Sequence, residues 1–203
     1  KIYDYEFDKN ISDCRAEVLT TSNSALSSNA VYCFAKSHRN LLWIGDEEGL
    51  TYYSYREKRI KSIPIRIGNE DFKYIHDIYE TADSELWLAR VGMGGGKARI
   101  AGTPDNPVIV DAQRYIINDG ELGSNYFFTI YAENEANLLF GNKGYGVFRY
   151  NETTNGLEPV STHKYENMTL NNILAISKDS SNNYLFGTSY GLIKYTSETS
   201  YQL

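Results

Sequence analysis

Val31-Tyr32-Cys33-Phe34, then Leu42-Trp43-Ile44-Gly45, then Gly49-Leu50 and Tyr53: this short phrase recurs along the chain. It returns as Ile75-His76-Asp77-Ile78 with Leu86-Trp87-Leu88-Ala89. It returns again as Phe127-Phe128-Thr129-Ile130 with Leu138-Leu139-Phe140-Gly141, followed by Gly146-Val147 and Tyr150. The last copy is Ile173-Leu174-Ala175-Ile176 with Tyr184-Leu185-Phe186-Gly187, followed by Gly191-Leu192 and Tyr195. In every copy the first residue stands 14 before the closing Gly or Ala, and those closing residues are spaced 44, 52 and 46 apart. A period of about 40–50 residues with several short strands per unit is the mark of a β-propeller blade. The sequence therefore predicts an all-β fold: about four four-stranded blades plus a partial N-terminal blade. Function is then to be sought in the loops on the end faces of a repeated scaffold.

Each unit divides into four strands. Strand a carries the Val31, Ile75, Phe127 or Ile173 segment and is almost continuously apolar, as a strand covered on both faces should be. Strand b closes in Trp-Ile-Gly or its equivalent, strand c reads Gly-Leu-x-x-Tyr, and strand d is looser: Arg59–Ile67, Val108–Ile117, Leu157–Lys164 and Ser200–Leu203. The a–b turns are polar; the last, Asp179 to Asn183, is strong turn chemistry. Residues 1–19 read as the outer strands of a preceding blade. The boundaries that follow are 20–68, 69–121, 122–167 and 168–203, one continuous domain. Lys1 falls inside a strand-like segment, so the chain reads as part of something longer. An open arc leaves edges and faces uncovered, and predicts either further blades of a parent chain or association of two copies as a homodimer.

Of 203 residues, 18 are Tyr, which suits strands with one apolar and one wet end. The net charge of −6 argues against nucleic acid, which needs a clustered basic face. The densest basic stretch, Arg56 to Lys61, is broken by Glu57 and Ile60 and reads as a solvated outer hairpin. No run of 18 apolar residues is present, so no membrane insertion is expected from this segment. Cys33 lies in a strand and reads as a small buried hydrophobe; a bridge to Cys14 is a possibility left open.

The stretches Leu26-Ser-Ser-Asn-Ala-Val31, Leu42-Trp-Ile-Gly-Asp46 and Gly49-Leu50-x-x-Tyr53 resemble the two-component regulator propeller repeat. Leu170-Asn-Asn-Ile173, Phe186-Gly-Thr188 and Gly191-Leu-Ile-Lys-Tyr195 match it again, and Leu122-Gly-Ser-Asn125 is a third copy of the approach loop. The resemblance covers most of the chain. It implies the periplasmic sensor region of a Bacteroides-type hybrid two-component system. Such a receptor has large propellers, an immunoglobulin-like module, a membrane helix, a histidine kinase and a DNA-binding regulator. It implies a glycan fragment as the stimulus.

The second copy departs from the pattern. Arg90-Val-Gly-Met-Gly-Gly-Gly-Lys97-Ala-Arg99 stands where the others have a short turn. It fails as a phosphate-binding loop, because the first required Gly is Val91 and the required hydroxyl is Ala98. As a mobile b–c insertion it would place Arg90, Lys97 and Arg99 at one mouth of the array, beside Asp46, Glu47 and Glu48. There it could meet an acidic sugar or a partner.

Trp43 and Trp87 alternate with Leu139 and Leu185 at one point of strand b, which indicates packing between blades rather than sugar stacking. Asp77 stands where the other copies carry Cys33, Thr129 and Ala175. The small set suggests crowding at the axis, with the carboxylate capping amides, facing channel water or touching a ligand. His76 and Asp77 are neighbours in a strand and cannot form a dyad. No metal spacing or nucleophile arrangement stands out, no cofactor is expected, and Asn10, Asn151 and Asn167 head short sequons.

The reading is a non-catalytic ligand-sensing segment whose ligand contacts are Arg90, Lys97, Arg99, Asp46, Glu47 and Asp77. The ligand is a small molecule or an oligosaccharide. The alternatives are a protein-interaction scaffold and a propeller lyase or hydrolase.

Overall fold

The structure, a computed structural model, describes residues 2–3, 15–117, 125–160, 171–195 and 201–202. It is a β-propeller array of four antiparallel four-stranded sheets. A hairpin of β1 (Ile2–Tyr3) and β2 (Arg15–Ala16) precedes them, at the place expected for the partial blade. The first blade is β3 (Val31–Lys36), β4 (Leu41–Asp46), β5 (Gly49–Ser54) and β6 (Arg59–Ser62). A two-stranded hairpin follows, β7 (Arg66–Ile67) with β8 (Glu70–Asp71). The second blade is β9 (Ile75–Glu80), β10 (Glu85–Arg90), β11 (Gly95–Thr103) and β12 (Asn106–Tyr115). The third is β13 (Phe127–Asn134), β14 (Asn137–Asn142), β15 (Gly146–Asn151) and β16 (Gly156–Pro159). The fourth is β17 (Ile173–Lys178), β18 (Tyr184–Thr188), β19 (Leu192–Tyr195) and β20 (Tyr201–Gln202). In each sheet the strands pair in the order a-b-c-d.

Strands β3, β9, β13 and β17 meet one another in turn, so the a strands converge and the d strands lie outside. Apolar cores fill the spaces between sheets. The strand-b positions held by Trp43, Trp87 and Leu139 point forward: Trp43 packs against Ile75, Ile78, Leu86 and Leu88 of the second blade, and Trp87 against Phe127 and Phe140 of the third. Leu139 does the same toward Ile173, Ile176 and Phe186. Trp43 is fully buried, and its indole N–H donates to Glu80 Oε2 at 2.9 Å. The residues flanking that position, such as Leu86 and Leu88, face backward, so strand b is buried on both faces.

The approach loops have a clear role. The Asn125 carboxamide oxygen accepts the Ile117 amide at 2.7 Å, and the Asn29 oxygen accepts the Thr21 amide at 2.9 Å. In both cases the Asn reaches back eight residues and fixes the path into the next strand a. Leu122, Gly123 and Ser124 lie outside the described residues, as do Cys14 and the sequons at Asn10 and Asn167. Cys33 is a free thiol, and burial pushes it up to about 12.

Two strand assignments change. Strand d of the first blade ends at Ser62, and Arg66–Ile67 belongs to the separate β7–β8 hairpin. Pro64 lies between the two; it has no amide to donate to a ladder. The 90–99 segment is not a mobile loop. Residues from Gly95 onward form strand c, with Leu88 opposite Gly96, Trp87 opposite Lys97 and Glu85 opposite Arg99. The b–c turn is only Val91 to Gly94. Much of the extra length of this repeat lies in its c and d strands, nine and ten residues against six and four in the first blade.

Candidate functional site: the loop mouth and its bulged strands

The b–c turns and d–a loops share one end of the array and are laced together. The Glu47 amide donates to the Ala30 carbonyl of its own blade, and the Glu47 carbonyl accepts the Tyr74 amide of the next. Val91 N–H donates to Tyr74 O, Gly94 N–H to Asn125 O, Lys143 N–H to Tyr126 O and Gly144 N–H to Asn171 O. This chain of bonds makes a rigid floor around the mouth.

Just inside it, every a strand carries the same irregularity. Val31 pairs with Asp46 but Cys33 with Gly45, leaving Tyr32 unpaired. Ile75 and Asp77 bracket His76, Phe127 and Thr129 bracket Phe128, and Ile173 and Ala175 bracket Leu174 in the same way. A β-bulge re-aims its extra side chain, and here the bulged side chains form a row. Tyr32 and His76 stack with centroids 4.2 Å apart and planes at 15°, and His76 meets Phe128 edge-on at 5.8 Å. Tyr32 remains 40% exposed and Leu174 44%. Beside the row, Tyr74 has φ of +57°, a left-handed conformation rare for an aromatic residue, while its ring stays exposed. No signal named this row in the sequence analysis, although it is the second residue of each quoted copy.

The small residues at positions 33, 77, 129 and 175 sit where neighbouring a strands crowd together. Each pairs with the closing Gly or Ala of strand b. A β-carbon on Gly45 would lie 2.5 Å from Cys33 Sγ and 2.7 Å from the Ile75 carbonyl oxygen of the next blade. One on Gly141 would meet Thr129 and Ile173 in the same way. The pair is small because the next a strand presses against it.

Asp77 uses that closeness. Its Oδ2 accepts from the Ile130 amide at 2.7 Å and the Thr129 hydroxyl at 3.0 Å, and Oδ1 accepts its neighbour Ile78 amide. The carboxylate caps amides, one of the roles expected of it, and clasps the third blade. Burial raises its pKa, against the lowering effect of those donors.

The remaining candidates do not gather. Asp46 is fully buried; it accepts Ser27 Oγ and the amides of Glu48 and Gly49, closing its own turn. Glu47 is half-buried at the mouth and accepts Ser28 Oγ at 3.2 Å. Arg90 occupies the same register as Asp46 but is only 2% exposed, with its guanidinium 4.5 Å over the Phe72 ring. Burial and the nearby Arg114 hold it down to about 10. Lys97 pairs with Glu85 at 2.8 Å and lies over Trp87. Arg99 is exposed but sits opposite Glu85, at the far end of strand b from the mouth. So the three cations do not share one mouth: Arg90 reaches the turn but faces inward, and the other two ride down strand c. The Arg56–Lys61 stretch is balanced by Glu57 and Asp105. Among the described residues no cluster of His, Cys, Asp and Glu is arranged to hold a metal ion.

No family model matches the chain, and no curated protein does. Solved structures do. The extracellular domain of BT4673 from B. thetaiotaomicron, assigned to a one component or hybrid two component system, superposes with a TM-score of 0.68 at 18% identity, over 87% of this chain and 24% of that one. The extracellular domain of BT3049 from B. thetaiotaomicron, assigned to a hybrid two component system, gives 0.66 at 18% identity, over 92% and 25%. The WD40 β-propeller domain of Doa1 gives 0.59 at 13%, over 86% and 54%. The chain thus spans about a quarter of the length of the two extracellular domains, and what it shares with all three is the fold.

Proposed function

We propose that this chain is an extracytoplasmic, periplasmic ligand-sensing segment of a hybrid two-component receptor, itself non-catalytic, and that its ligand is a glycan fragment. The observation that supports this is the mouth: a hydrogen-bonded floor of turns and loops, carrying exposed tyrosines, on a fold shared with extracellular domains assigned to such systems. Scaffolds of this kind place variable binding residues on fixed loops. Binding would change how the blades pack or how two chains sit together, and the parent chain would carry that change to its kinase. A glycan-array and thermal-shift screen of the chain tests the reading. A saccharide that raises the melting temperature supports it, and a screen without any binder argues against it.

A second reading, an interaction scaffold, is favoured by the outer face of the first blade. Phe34 is 63% exposed there, beside a cleft of about 650 Å³ lined by Leu19, Leu42, Tyr53 and Tyr55. Its natural occupant is another blade, from the remainder of a parent chain or from a second copy.

A further inference from the structure

We infer that the bulged row Tyr32–His76–Phe128 is the platform on which a pyranose ring of a neutral saccharide stacks. This rests on the reading above that the mouth is the ligand face, and it adds the residues and the sugar class.

Three observations carry it. The bulge recurs at one register in all four a strands. Strand pairing alone does not require it, since each bulge leaves one residue outside the ladder. Three of the four residues so released are aromatic, and they touch across separate blades, Tyr32 stacked on His76 and His76 edge-on to Phe128. The row is also wet at its start: Tyr32 is 40% exposed although its ring is engaged with His76. A flat apolar ring with a polar edge suits the C–H face of a sugar, with hydroxyl groups left for the rim.

The rim supplies those partners. Glu47 and Tyr74 lie close enough to Tyr32 that both push its phenol upward, after burial. Tyr74 holds its left-handed backbone because its amide is bound by Glu47 O and its carbonyl by Val91 N–H. Strain of this kind, fixed from both sides, is a feature of ligand-holding positions. The Glu47 backbone bridges Ala30, two residues before Tyr32, to Tyr74, and its half-buried side chain brings a carboxylate to this rim. A carboxylate there accepts sugar hydroxyls and repels a uronate, which selects neutral sugars over acidic ones.

The test is calorimetric titration of the chain with neutral cello-, xylo-, manno- and galacto-oligosaccharides, and with oligogalacturonides as the anionic arm. For the neutral sugar that binds, Tyr32→Ala and Phe128→Ala should each weaken affinity about tenfold or more. Tyr32→Phe keeps the ring and should retain binding within about threefold. Val110→Ala trims an exposed apolar side chain on β12, outside the row, and should bind as wild type. If Phe128→Ala does not fold, the half-exposed Tyr32 decides the matter. Saccharide binding that is indifferent to Tyr32→Ala overturns the platform while leaving the sensor reading intact. Stronger binding of oligogalacturonides overturns the neutral choice. Absence of binding by every sugar overturns both.

Discussion

Phe72 occupies the space that a side chain at position 96 would need: a β-carbon on Gly96 would fall 2.5 Å from Cζ of the Phe72 ring. The same ring carries the Arg90 guanidinium at 4.5 Å. Gly96 is therefore a packing device within a strand. Gly96→Val should displace a buried ring and destabilise the chain by about 1–3 kcal/mol. Urea denaturation with an unchanged midpoint would show that Phe72 is not held against this strand.

Trp43→Ala should destabilise by roughly 3–5 kcal/mol, because it empties the site between the first two blades and leaves the Glu80 carboxylate without its indole donor. Trp43→Phe separates the two effects, keeping most of the volume and losing the hydrogen bond, for about 1–3 kcal/mol. Equilibrium unfolding checks both; a change under about 1 kcal/mol for the alanine variant would remove Trp43 from the core.

Arg90→Met tests whether that cation belongs to packing or to ligand. Its Nε and Nη1 have no hydrogen-bond partner among the described residues, and Arg114 stands nearby. Replacing a buried, poorly paired charge by an apolar side chain of similar length should leave stability within about 1 kcal/mol or raise it. A loss above about 2 kcal/mol would contradict this account of Arg90.

Tyr74→Gly should hold or raise the melting temperature, since glycine takes φ of +57° without strain and the lost ring is largely exposed. The same change should weaken saccharide binding, an exchange of function for stability. A lowered melting temperature would mean that the ring packs more than its exposure indicates.

His76 gives the pH dependence. Burial lowers its pKa below the ordinary 6.5. As pH falls through that value, the unfolded chain takes up a proton that the folded chain resists, so stability drops on the acid side. Above it both states are neutral and the contribution vanishes. His76→Phe should flatten the fall in melting temperature between about pH 7 and 5; an unchanged slope would show that His76 protonates freely in the fold.

The architecture was legible because it rests on a period. The 14-residue spacing from Val31 to Gly45 marks a hairpin whose ends pair near the mouth, and the Trp43, Trp87 and Leu139 series marks the forward face of strand b. The site was less legible. Tyr32, His76, Phe128 and Leu174 share a register, but only the bulge distinguishes them from ordinary alternating strand residues, and a bulge has no residue signature here. The cations of 90–99 were misplaced for a related reason. Gly95 and Gly96 suggest a loop by composition, whereas the neighbouring Phe72 ring, 24 residues away from Gly96 in sequence, makes glycine necessary inside a strand.

Hydrogen–deuterium exchange of the chain, with and without the neutral oligosaccharide that binds best, tests the central claim most directly. The account predicts added protection at the mouth, in Ala30–Cys33, Glu47–Glu48, Tyr74–Asp77 and Tyr126–Thr129. Protection confined to the opposite end, at the a–b turns Ser37–Asn40, Thr81–Ser84 and Asp179–Asn183, would contradict it.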